Sequence, residues 1–84
     1  MPNDTQLRDH VRELLAETLG LDEPSLPDDL SQQNCPRWSS LQHMTLMVAL
    51  EERFGVRLSM ADMAAMKSLP SIVATLARYE VVAA

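Results

Sequence analysis

The chain has 84 residues, 46% of them apolar and 23% charged, and seven basic against twelve acidic residues leave a net charge of −5. That length suits one small unit, residues 1–84, with a modest core, and the composition is too apolar for a disordered chain. Nucleic acid is not an expected partner because no Lys/Arg cluster exists to neutralise a run of phosphates, and no apolar run nears the ~20 residues of a membrane span.

The start MPNDTQLRDH lacks the basic residues and apolar stretch of a secretion signal, so the expected compartment is the cytoplasm. A single cysteine, Cys35, forms no internal disulfide, and two histidines, His10 and His43, offer no structural zinc spacing. The chain could equally be free-standing or a domain of a larger protein, with Met1 and the short tail weighing slightly toward the first, and it is expected to be monomeric.

From residue 4 to 19 the apolar positions Leu7, Val11, Leu14, Leu15 and Leu19 recur with the period of an amphipathic helix. Arg8, Asp9, Arg12, Glu13 and Glu17 are expected on the solvent side. Asn3 or Asp4 can cap its start, and Gly20 followed by Leu21 suits a left-handed helix end with a hydrophobic contact beyond it. Residues 21–38, LDEPSLPDDLSQQNCPRW, hold Pro24, Pro27 and Pro36 and read as a long loop with one helical turn near Asp28 to Ser31. Loops beyond ~12–15 residues in a small domain tend to be functional. Leu21, Leu26, Leu30 and Trp38 are expected to pin this one to the core.

Leu41, Met44, Leu46, Met47, Val48, Leu50 and Phe54 give a second helix, over 40–54, an apolar surface broader than one stripe, as for a central helix with several neighbours. Gly55 ends it. Ser59 with Asp62 three residues on opens a short third helix, 60–66, with Met63 and Met66 inward. Leu69, Ile72, Val73, Leu76 and Tyr79 mark a fourth, about 70–80, with Pro70 tolerated in its first turn. No alternating strand pattern is present. The predicted fold is an all-α four-helix antiparallel bundle with a long first connection and a short third helix.

The order of parts, an acidic loop, Trp38-Ser39-Ser40-Leu41 at the start of the second helix, ALEERFGV, a short helix and SLPSIVATL, resembles the acyl and peptidyl carrier proteins. In that family an Asp-Ser-Leu motif opens helix 2, and its serine carries 4′-phosphopantetheine taken from coenzyme A. Aligned on Leu41, the family serine falls on Ser40, with Ser39 where the family has Asp. The resemblance covers nearly the whole chain, and WSSLQHMTLMVALEERFGVRLS is its most specific part. It implies no catalysis by the chain itself, a phosphopantetheinyl transferase that modifies Ser40, and acyl- or aminoacyl-loading and downstream enzymes as partners. The pathway implied is specialised: polyketide, nonribosomal peptide or related.

Elementary physics agrees, since a phosphodiester at a helix start meets unpaired N–H groups and the positive end of the macrodipole. Ser39 is then the cap and Ser40 the modified residue. The other reading is that both serines only start a helix, in a carrier-like docking module that is never phosphopantetheinylated, with the missing Asp as its symptom.

Met44 and Met63 are the expected liners of an acyl cleft between helices 2 and 3, and Trp38 a further partner or acyl contact. Met47, Met60 and Met66 are better read as core. The first half of helix 2 exposes Gln42, His43 and Thr45, and its acids come only at Glu51 and Glu52, which suggests a dedicated carrier docking through Leu41, Met44 and neutral contacts. His43, three residues after Ser40, invites a hydrolase-like pair, but no orienting acid or oxyanion loop accompanies it. Cys35 reads as an incidental loop cysteine and His10 as a surface residue.

Overall fold

Apolar periodicity and caps divide the chain into four helices. The computed structural model describes residues 4–79 and places α1 at Asp4–Leu19, α2 at Ser40–Phe54, α3 at Met60–Ala65 and α4 at Leu69–Ala77, with no strand among the described residues. Asn3 as a cap lies outside them, and the last helix ends at Ala77 rather than at about residue 80.

Helix α1 buries the expected stripe: Leu7, Val11, Leu14, Leu15 and Leu19 are all nearly inaccessible. It ends at Gly20, whose φ of 68° is left-handed, and the Leu21 amide donates back to the Ala16 carbonyl at 2.9 Å. This closes the orphan carbonyls in a Schellman turn, while Leu21 packs on the core as the hydrophobic residue beyond it. Gly55 ends α2 in the same left-handed region, with φ 65°.

The core gathers Val11 and Leu15 of α1, Leu46, Met47, Leu50 and Phe54 of α2, and Leu69, Ile72 and Leu76 of α4, with Trp38 and Met66 from the connections. Each such side chain stabilises the fold by about 1.5–3 kcal/mol when fully buried. Helix α1 lies against both α2 and α4.

Two expectations need correcting. The broad apolar surface of α2 is not all inward: Leu41, Met44 and Val48 are 78%, 54% and 51% exposed, because they occupy one helical stripe turned away from α1. Arg12 does not face solvent freely. Its guanidinium donates to the Glu23 and Leu26 carbonyls at 3.1 and 2.8 Å and to the Asp28 carboxylate at 3.1 Å, fastening the long loop across α1.

That loop also folds differently in detail. Its helical turn is a 3₁₀ turn at Glu23–Ser25, with Pro24 pre-setting the backbone, while residues 28–29 form only a hydrogen-bonded turn in which the Leu30 amide donates to the Pro27 carbonyl. Leu26, Leu30, Cys35 and Trp38 are buried, so the loop is pinned as expected and Cys35 belongs to the core rather than to an exposed loop. Beyond Leu30 the loop pairs with the α3–α4 connection. Leu69 donates to the Leu30 carbonyl and Gln32 to the Lys67 carbonyl, both at 2.8 Å, around an isolated Ser31–Ser68 bridge.

Short α3 starts where expected: the Ser59 hydroxyl accepts from the Asp62 amide. None of its residues is fully buried, and Met66 just beyond it is. Met63 is half-buried against the core. Helix α4 opens with a capping box of Ser68 and Ser71 and carries Pro70 in its first turn, where a missing N–H costs no helical bond.

Candidate functional site

The α2 start is built by a division of labour between two serines. Ser39 has extended backbone angles (φ −79°, ψ 173°), and its Oγ accepts from the Gln42 amide at 3.2 Å, so its side chain is committed to capping. Ser40 is the first residue of the helix and is exposed, and its hydroxyl makes no hydrogen bond among the described residues. Leu41, beside it, is exposed as well.

The local charge is unusual only in its neutrality. No acid occupies the first turn of α2, and the first carboxylates on the helix are Glu51 and Glu52. The first-turn amides of Ser40 and Leu41 precede any i−4 partner inside the helix, so an anion bound to the Ser40 oxygen would meet N–H groups and the positive helix end without a carboxylate on the first turn of α2 to repel it. The exposed hydroxyl and these amides fit a phosphodiester attached at this position.

Trp38 anchors this turn from below. It is 2% exposed, its amide donates to the Cys35 carbonyl at 3.0 Å, and its ring lies in the core rather than on a surface that a docked protein meets. Its indole Nε1 donates to His43 Nδ1 at 3.0 Å, with the two rings stacked at 6.1 Å and 29°. His43 Nε2 lies 2.8 Å from the Met63 carbonyl of α3. Indole N–H is only a donor, so Nδ1 accepts and the proton sits on Nε2, which donates to the carbonyl. Both nitrogens are thus occupied, and neither is left to take a proton from Ser40.

The residues expected at the site are therefore brought together unequally. Ser39, Ser40 and Leu41 share the exposed α2 start, and Met44 sits one turn along the same face. Met63 is half-buried on α3. A shallow cavity occurs elsewhere, within the long loop against Leu21, Leu26, Leu30 and Cys35. Sequence reasoning missed His43 as a link, since its second partner is a backbone carbonyl that only the fold brings near.

Asp62 forms a second link of α3. Its carboxylate accepts from the Tyr79 hydroxyl and from Arg78 at 2.8 Å, tying α3 to the end of α4. The Tyr79 hydrogen bond, then that of Arg78, hold its pKa below the usual carboxylate value. Among the described residues no cluster of His, Cys, Asp and Glu could hold a metal, and no helix is long and apolar enough to cross a membrane.

Compared with known families, residues 38–76 match the model described as the phosphopantetheine attachment site. The match begins at Trp38, spans α2 and α3, and ends at Leu76 in α4. No curated protein matches the chain.

Proposed function

We propose that the chain is a carrier protein and that Ser40 is the residue that takes the arm, a reading supported by the match of residues 38–76 to the phosphopantetheine attachment-site model. Covalently attached 4′-phosphopantetheine is the cofactor of this domain, and its terminal thiol holds acyl groups as thioesters. The exposed, unpartnered Ser40 hydroxyl at the first position of α2 carries the assignment of the residue.

The chain's own residues supply position and charge. Ser39 fixes the helix start by capping it, which leaves Ser40 Oγ projecting into solvent for an incoming transferase. During transfer this oxygen attacks the β-phosphorus of coenzyme A, its proton passes to a base on the transferase, and 3′,5′-adenosine diphosphate leaves. The first-turn amides then face the new phosphodiester. Tethering raises the effective concentration of cargo at successive partner enzymes.

Carrier domains work with transferases and biosynthetic enzymes in general. This one reads as a dedicated carrier of a specialised polyketide, nonribosomal peptide or related pathway, acting as a cytoplasmic monomer. Its α2 face presents Leu41, Met44 and Val48 with no early acid, so docking rests on apolar contact rather than on salt-screened steering.

A second reading rests on one observation, Ser39 in the place of the family's aspartate: a docking module that is not modified. Intact-protein mass measurement after incubation with coenzyme A, Mg²⁺ and a broad-specificity phosphopantetheinyl transferase separates the two. An adduct on wild type and Ser39→Asp but not on Ser40→Ala supports the carrier. Partner binding with no adduct on wild type under any transferase supports the docking module.

A further inference from the structure

Helix α3 is the most lightly held of the four α-helices. It spans six residues, too few to be stable alone, and has no fully buried side chain. Its position therefore depends on Met66 beyond its end, on the Asp62 link to Tyr79 and Arg78, and on the bond from His43. Only the last of these reaches the α2 start. The chain of contacts is short and continuous: the Met63 carbonyl on α3, His43 in the opening turns of α2, and the Trp38 indole immediately ahead of Ser39 and Ser40.

We propose that His43 is a positioning residue that clasps α3 to the α2 turn carrying Ser40, so that a phosphopantetheinyl transferase docking on exposed Leu41 and Met44 meets α3 in one fixed position. The statement about docking rests on the carrier reading given above. The clasp itself rests on geometry: one imidazole spans the two groups only as the Nε2–H tautomer, accepting on one side and donating on the other. Its location also removes His43 from any catalytic part, since both nitrogens are engaged within the fold.

The role differs from plain core packing because each nitrogen can be addressed separately. His43→Phe keeps a ring against Trp38 and deletes both hydrogen bonds. His43→Gln keeps a donor of similar reach toward the Met63 carbonyl but leaves the indole without its ring acceptor. In His43→Phe, amides of residues 63–66 should exchange roughly fivefold to tenfold faster, as expected for one lost hydrogen bond to a local element, while those of α1 keep their protection. His43→Gln should restore much of the α3 protection and leave the Trp38 indole N–H exchanging quickly.

The test combines three readings on the full chain: ¹⁵N chemical shifts of the wild-type His43 ring, amide and indole hydrogen exchange, and steady-state priming of wild type and both variants by a phosphopantetheinyl transferase. The clasp predicts a protonated Nε2 and bare Nδ1, faster exchange confined to α3 in His43→Phe, and a KM for the carrier raised about fivefold with kcat unchanged, because docking and not chemistry is disturbed. A protonated Nδ1 in wild type, which needs no variant to fold, overturns the proposal. So does an α3 that exchanges equally in wild type and His43→Phe, or a kcat that falls with KM constant. Absence of any priming of wild type would instead defeat the carrier reading, and ring shifts and exchange would still decide the clasp.

Discussion

The long loop between α1 and α2 and the short helix α3 reverse the usual association of irregular structure with weak attachment. The loop, with one 3₁₀ turn, is fastened by the Arg12 guanidinium and by Leu26, Leu30, Cys35 and Trp38 in the core. Helix α3 has regular hydrogen bonds but no fully buried side chain, and polar links at His43 and Asp62 help to hold it. Regularity of backbone and firmness of attachment are thus separate properties: apolar burial and satisfied carbonyls decide the second. The start of α2 lies between the two, with the pinned loop running into it and α3 linked to it through His43.

The comparison breaks most sharply at Trp38. Trp38→Ala empties a core site and removes the indole from His43, and a loss of about 3–5 kcal/mol in denaturant unfolding is expected. Arg12→Met comes next. It keeps much of the apolar stem but leaves the Glu23 and Leu26 carbonyls without their donor, costing roughly 1.5–3 kcal/mol and loosening the loop while α3 exchange is unchanged. Ser39→Ala removes the α2 cap for about 1 kcal/mol, readable in the same unfolding experiment, whereas Ser40→Ala should leave stability nearly unchanged because its hydroxyl makes no hydrogen bond among the described residues.

The smallest effect sharpens the α3 side. Asp62 has a folded pKa below its ordinary value, so its link to Tyr79 and Arg78 is fully present above the ordinary carboxylate pKa and is lost as pH falls through the depressed one. Amide exchange in α3 should therefore rise in strongly acid solution relative to α1, and Asp62→Asn should remove that acid dependence while weakening the link at neutral pH.

The four helices were legible because their information is local: apolar period, Gly20 and Gly55 at the ends, and the caps Ser39 and Ser59, whereas the Ser68 cap of α4 was not anticipated. Where the fold depends on distant partners, the sequence was silent. Arg12 looked like a solvent residue because its acceptors lie on a loop that returns over α1, and the helical turn was expected five residues too late because Pro24, not the Asp28–Asp29 pair, sets it. Leu41, Met44 and Val48 were counted in an apolar surface meeting several neighbours because hydrophobicity does not say which side of α2 lacks one. The Ser39-Ser40 division was readable as caps and exposure, while the His43 link needed the Met63 carbonyl, twenty residues away.

The central claim, that Ser40 bears the arm while Ser39 only caps, is tested most directly by peptide-level mass spectrometry of wild type, Ser39→Ala and Ser40→Ala after treatment with coenzyme A, Mg²⁺ and a phosphopantetheinyl transferase. The expected result is a phosphopantetheine adduct on Ser40 in wild type, retained in Ser39→Ala and absent from Ser40→Ala. An adduct on Ser39, or one that persists in Ser40→Ala, would contradict it.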